Sequence, residues 1–403
     1  MTAPNGAGAM TPAERIKLYR RRAGLTQEQA AQLKGCTVSA WRKWESGERQ
    51  VTSLADWIEI ARILRVRDLY KLTGMPVGEL PDEPGEHESV PPIRTALHAY
   101  TRPLDHEPDL ARVAEAIEFA WNTWHGSPSR YSRTGPMLPA LITETRATVA
   151  ALDEAQRREG HRVAVTLYLL VRAYAKRIGA LDVALLAADR AWMAADAADE
   201  PEYRAAAAWN TALVLSTQGH TEEAAALLRD AIAEVQGLAG PCPSQLAVLG
   251  ALHLVLAVQD ARLRDERRAL DALDVADRAA AVIGETNHHR LVFGPTNVGI
   301  HRGAVALELS RPAEALRVAE RVDVTGAPSL ERRYSHYLDL ARGYAIQRED
   351  LAAVHMLMRA DRESPEESRL NLAVRALVRD LLTRETPTTR PDLRPLAERI
   401  GVA

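Results

Sequence analysis

Apolar positions recur along this chain at intervals of three and four, the helical period, and nowhere sustain the alternation of a strand. The spacing predicts a helix over residues 12–23 that carries Ile16, Leu18 and Tyr19, and a second after Thr26 with Leu25, Ala30 and Leu33 inward. A third over Val38–Ser46 turns Trp41 and Trp44 inward, and a fourth over 54–64 carries Trp57, Ile60, Ala61 and Leu64. The punctuation agrees with the pattern. Pro12 suits a first helical turn, Thr26 and Gln29 have the spacing of a capping box, and Thr37 stands at the next N-cap. Gly35 and Gly47 fall where a helix ends in a left-handed residue.

Further along, the helical period acquires a longer rhythm. Five stretches align on Gly179, Gly219, Arg264, Ser310 and Arg348, and each carries alanine five residues later, at Ala184, Ala224, Ala269, Ala315 and Ala353. Seven further stand Ala191, Ala231, Ala276, Val322 and Ala360, and seven before the turn stand Arg172, Ala212, Ala257, Gly303 and Ala341. Small residues at such places let two antiparallel helices approach closely. Another pair, over 110–124 and 138–152, precedes these units, and a polar-faced capping helix over 366–384 follows them. The expected organisation is therefore all-α: a disordered tail (1–11), a small helical head (12–73), a stiff acidic linker rich in proline and glycine (74–95), a helical repeat body (96–384), and a C-terminal tail (385–403) with one short helix over 393–400.

Composition sharpens this picture in three ways. Only 5% of residues are aromatic while alanine and leucine dominate, which favours close helix packing. Cys36 and Cys242 sit in different modules, so no disulfide is expected, consistent with a reducing cytoplasm. The longest apolar stretch, 246–258, is interrupted by His253 and is too short for a bilayer, and the first residues lack the features of a signal peptide. Charge separates the modules: residues 12–73 hold 13 Lys and Arg against 7 Asp and Glu, a net +6 in a chain of −3, which leaves −9 elsewhere. A basic head on an acidic body suits a local phosphate footprint.

The run Leu25-Thr26-Gln27-Glu28, the glycine at 35, Trp44-Glu45-x-Gly47 and Ile60-Ala61-Arg62-x-Leu64 resemble, in order and register, the lambdoid-repressor-like helix-turn-helix of the xenobiotic-response-element (XRE) family of bacterial regulators. Lys34 and Trp41 depart from that family's aliphatic residues. The resemblance implies binding to double-stranded DNA, with Val38–Ser46 as the recognition helix. Thr37 would begin it, Val38, Ser39, Arg42 and Lys43 would face base edges, Gln27 would meet a phosphate, and Arg49 and Gln50 would lie beside the backbone. The repeats resemble tetratricopeptide (TPR) units, most clearly Trp209-Asn210-Thr211-Ala212 through Gly219 to Ala231, although their turn-to-turn spacings of 38 to 46 exceed that family's period. A plain antiparallel α-solenoid leaves a similar trace. The two modules together resemble peptide-sensing regulators of Gram-positive bacteria, and the Ala/Arg-rich, Lys-poor composition fits an actinobacterial type. What this implies is a homodimeric transcriptional regulator whose body senses a peptide or small molecule. The alternative is a DNA-tethered scaffold whose body docks a protein partner.

In the TPR register Asn210, Asn297, His301, Asp339 and Arg342 face a concave groove. The segment from His288 to Asn297 holds one of two phenylalanines and a Gly294-Pro295 break; Thr296 and Asn297 then either contact an anion at a helix N-terminus or belong to a packed loop capped at Thr296. Trp121, Trp124, His125, Arg130 and Tyr131 read as core packing. His288 and His289 lack a Glu or Cys at metal spacing, and neither a phosphate-cradling loop nor a paired-glycine fingerprint is present. No metal, cofactor or catalytic residue is therefore expected.

Overall fold

The computed structural model describes residues 10–49, 51, 54–64, 66, 70–73, 87–99, 107–238, 242–324 and 329–402. The protein is all-α; among the described residues the sole β feature is an isolated bridge between Thr286 and Phe293. The chain divides into two compact units, 1–85 and 86–403.

The first unit, the head, contains α1 (Pro12–Arg22), α2 (Gln27–Lys34), α3 (Val38–Ser46), α4 (Leu54–Ile63) and α5 (Tyr70–Thr73). The Thr26 hydroxyl accepts from the Gln29 amide at 3.1 Å, while the Thr26 amide donates to Gln29 Oε1 at 2.9 Å, so both partners satisfy otherwise orphaned donors at the start of α2. Thr37 accepts from the Ala40 amide at 3.2 Å and caps α3. Gly35 and Gly47 take φ of 70° and 78°, which ends both helices at little steric cost. Ile16, Ala30, Ala31, Trp41, Trp44, Ile60, Ala61 and Leu64 form the core. One expectation fails: Leu33 is 60% exposed. At 100° per residue, Ala30, Ala31 and Lys34 share the inward side of α2 and Leu33 turns away from it. Lys34 escapes the apolar core by reaching Asp56 at 3.0 Å and Glu59 at 2.5 Å, on α4.

The second unit, the body, opens with α6 (Val90–His98), α7 (Leu110–Gly126), α8 (Arg130–Thr134) and α9 (Leu138–Ala151). Five antiparallel pairs follow: α10 (Glu154–Arg177) with α11 (Leu181–Ala198), α12 (Pro201–Thr217) with α13 (Thr221–Gln236), α14 (Pro243–Arg262) with α15 (Glu266–Ile283), α16 (Pro295–Glu308) with α17 (Pro312–Ala319), and α18 (Leu330–Ile346) with α19 (Asp350–Glu363). The chain then forms α20 (Pro365–Leu370), α21 (Leu372–Thr383) and α22 (Arg390–Ile400). All five turn residues adopt positive φ: Gly179, Gly219, Arg264, Ser310 and Arg348 lie between 63° and 87°. The alanines five positions later are all buried in the helix seams.

Three segments differ from the sequence reading. The end of the expected linker is helical: Pro91 and Pro92 occupy the first turn of α6, where no amide is needed, and Val90, Ile93, Ala96 and Leu97 are buried. The capping helix breaks at Asn371, whose side chain accepts from the amides of Ala373 and Val374 and starts a second helix. The C-terminal residues are not a free tail, because Leu393, Leu396, Ala397 and Ile400 of α22 pack with Val374, Val378 and Leu381. Helix α14 is itself 20 residues long and apolar enough to cross a membrane, yet 72% of that stretch is buried inside the body, as befits a core helix.

The two ends of the body meet. Arg130 on α8 and Arg177 on α10 both bind Glu367 on α20, Arg177 also binds Glu331 on α18, and the Tyr131 amide donates to Glu366 at 2.8 Å. Arg130 and Glu367 are 0% and 2% exposed in their side chains. Burial pushes the Glu331 carboxyl up, but the Arg177, Arg130 and Arg332 charges win and hold it well below the usual carboxylate range. The stabilisation from Glu331 is therefore complete above its unfolded value and is lost as pH falls through the depressed folded one. Removing one partner strands the other charges in a buried site, so Glu367→Ala is expected to cost about 3–5 kcal/mol in urea denaturation followed by circular dichroism. A cost under about 1 kcal/mol would mean that the body's ends are not held together by this cluster. At the turns, Gly219→Val should cost about 1–2 kcal/mol, whereas Arg348→Gly should be neutral or stabilising, because only glycine takes a left-handed φ without a Cβ clash.

Candidate functional site

Helix α3 has two chemically distinct faces. Trp41 and Trp44 are buried and meet edge to face, with ring centroids 5.9 Å apart. Ser39, Arg42 and Lys43 are exposed on the other side, Thr37 is exposed at its start, and Arg49 is exposed just beyond its end. Val38 is half-buried against the head's core, so only part of its side chain remains accessible. Gln50 lies outside the described residues.

A polar node fixes this helix. Buried Glu45 accepts from Arg20 Nε at 2.5 Å and Nη2 at 3.1 Å, from Gln27 Nε2 at 2.7 Å and from Trp41 Nε1 at 2.7 Å. Arg20 also donates to the Leu25 carbonyl at 2.7 Å. Burial raises the Glu45 pKa, but these donors outweigh it and the carboxylate stays ionised at a lowered value. One side chain thus joins α1, α2 and α3. The network continues outward: Gln27 Oε1 accepts from Arg42 Nε at 3.2 Å, and Arg42 Nη2 meets Glu28 at 3.2 Å. Lys43 pairs with Glu48 at 3.2 Å. These exposed pairs are weak and screened, so a polyanion can displace them. Glu45 is absent from the residues that the sequence singles out for a role. The signal was a carboxylate between two inward tryptophans and a helix-ending glycine, where burial demands a partner.

In the body, the predicted groove residues separate into two groups. His301 and Asp339 line an open cavity of about 660 Å³ among α10, α12, α14, α16 and α18. Asn210, Thr296, Asn297 and Arg342 do not line it. Asn210 is buried and bonded to Arg172, and Asn297 is buried with its amide donating to the Val292 carbonyl at 3.0 Å. The Thr296 amide is already taken by Glu285 at 2.8 Å and the N-cap is Gly294, which removes the proposed anion contact there. Arg342 is exposed and touches Asp339 at 3.4 Å. The segment around Phe293 is a packed loop: Phe293 fills the space over Gly250, where a Cβ would collide with its ring, and His289 meets Glu202 at 3.1 Å.

The cationic part of the cavity is not among the groove positions that the repeat register predicts. Lys176, Arg262 and Arg332 line it with Ser216, Thr217 and Gln259, and Leu213, Val255, Val258, Ile300 and Ala304 supply apolar surface. Burial pushes the Asp339 carboxyl up to about 6 and the His301 imidazole down to about 4, so His301 is neutral near pH 7. Among the described residues no group of three His, Cys, Asp or Glu is placed to hold a metal, and both cysteines are free.

Residues 13–69 match a helix-turn-helix domain family. No curated protein matches the chain. Solved structures similar to it include Bacillus thuringiensis PlcR in complex with the peptide PapR7 and DNA (15% identity, 68% of this chain and 96% of that one, TM-score 0.28). They also include the apo form of the competence regulator ComR from Streptococcus vestibularis (11%, 97% and 98%, TM-score 0.30). A third is ComR from S. thermophilus in complex with DNA and its signalling peptide ComS (12%, 88% and 99%, TM-score 0.28). The head of this chain is a helix-turn-helix domain, and the family match is confined to it.

Proposed function

We propose that the protein is a sequence-specific, DNA-binding transcriptional regulator of the cytoplasm that works as a homodimer, with a TPR-like body that senses an effector. The observation that carries this reading is α3: capped at both ends, anchored through Trp41, Trp44 and Glu45, and exposing Ser39, Arg42 and Lys43 in a match to a helix-turn-helix domain. Such a helix enters the major groove, where Arg42 or Lys43 donates to guanine O6 and N7. Thr37, Arg49 and the amide end of α2 stand beside the phosphates, and Gln27 orients Arg42 as well as offering its remaining amide proton to the backbone. The net positive charge of the head provides the non-specific attraction that precedes reading.

Selection of the preferred duplex from a random library, followed by fluorescence anisotropy, tests the assignment. Arg42→Ala should lose about 1–3 kcal/mol on the selected site and relax choice at one base position. Unchanged affinity and unchanged choice would show that α3 does not read bases. Glu45→Gln should weaken binding to every sequence while lowering the head's melting temperature, because it acts through helix placement. One head makes few phosphate contacts, so tight binding calls for two heads on half-sites about one helical turn apart. Light scattering on the full chain at micromolar concentration should give twice the monomer mass, and a monomer bound to a single half-site would remove the dimer from this reading.

A further inference from the structure

The body cavity has a charge imbalance that its own residues leave unresolved. Lys176 lies at the end of α10 and is the sole lysine among residues 86–403, where every other permanent cation is arginine. It lines the cavity, and among the described residues its ammonium makes no hydrogen bond or ion pair. One turn earlier on the same helix, Arg172 is 6% exposed; it donates to Asn210, and its Nε has no partner. Arg332, opposite on α18, gives one nitrogen to the Leu291 carbonyl at 3.2 Å and feels the Glu331 charge without forming an ion pair with it. Arg262 is paired with Glu308 at 3.1 Å. The carboxylates within reach are already shared: Glu331 is bonded to Arg177 and also offsets Arg130 and Arg332, and Asp339 meets Arg342. Holding half-buried cations without an ion-pair partner is costly, and on Lys176 loss of hydration and the nearby Arg177 and Arg172 charges outweigh the Glu331 charge and pull the pKa down to about 7.

We propose that this cavity binds an anionic ligand, a carboxylate or phosphate monoester carried on an apolar body, with Lys176 and Arg332 as its charge partners. The apolar part would lie on Leu213, Val255, Val258 and Ile300, and Ser216, Thr217 and Gln259 supply neutral hydrogen bonds around it. A volume of about 660 Å³ is that of a small-molecule site. An anion here returns the missing counter-charge and restores the proton on Lys176. As the identity of an effector this rests on the sensing reading above, but the binding site itself does not.

The full chain is titrated with octanoate, octyl phosphate and neutral octanol by calorimetry. In parallel, acetylation of its five lysines by acetic anhydride at pH 7 is mapped by mass spectrometry. One of the two anions should bind and slow acetylation of Lys176 roughly tenfold while leaving Lys17 unchanged, and octanol should do neither. Whichever anion binds more tightly identifies the headgroup class. Lys176→Gln should weaken that binding roughly ten- to hundredfold, and Lys176→Arg, which keeps the charge, should retain it. The proposal is overturned if neither anion binds or protects Lys176, or if Lys176→Gln binds as the parent does. Measuring DNA affinity with the bound anion separates the two ideas: binding without any change in DNA affinity supports the site and removes only the sensing reading.

Discussion

A buried ionic cluster holds the ends of the repeat body together. Arg130 and Arg177 come from the first helices of the body and Glu331 and Glu367 from the last, more than 150 residues away in sequence. An array of helix pairs touching only its neighbours has free ends and adjustable curvature. Once α8 and α10 are tied to α18 and α20 through a fully buried Arg130–Glu367 pair and a partly buried Arg177–Glu331 pair, that freedom goes. The cavity among α10, α12, α14, α16 and α18 depends on this constraint, since α10 and α18 contribute Lys176 and Arg332 to its wall.

The head applies the same device on a smaller scale. Glu45 is buried beside two tryptophans, and its acceptor capacity is met by Arg20, Gln27 and Trp41. Each donor comes from a different helix, so satisfying one carboxylate sets the mutual placement of all three. Such a small core has limited apolar area, and a fully satisfied polar node adds directional preference that alanine and leucine contacts lack.

Away from its ionic cluster the body relies on small residues. Alanine at the seams brings paired helices close, and Gly250 makes the room that Phe293 fills. The turns show how the pattern tolerates imperfect residues: Arg264, Ser310 and Arg348 hold the same left-handed backbone as Gly179 and Gly219. Their side-chain clash is outweighed by the packing of the flanking helices, which the turn alone does not control.

Local pattern was sufficient for the all-α class, for the caps at Thr26 and Thr37, for the five turns, and for the split of α3 into a tryptophan face and an Arg42–Lys43 face. Those features depend on residues three, four or seven apart, and helical geometry converts such spacings directly into direction. Leu33 escaped the same logic because α2 is two turns long, and which side is inward was settled by α4 and its carboxylates for Lys34. The packing of α22, the clasp between Arg130 and Glu367, and the sorting of His301 and Asp339 into the cavity while Asn210 and Asn297 became buried supports were decided only by tertiary structure. The unpaired charge of Lys176 belongs with them: periodicity places a side chain on a face, but what that face meets depends on partners dozens or hundreds of residues away.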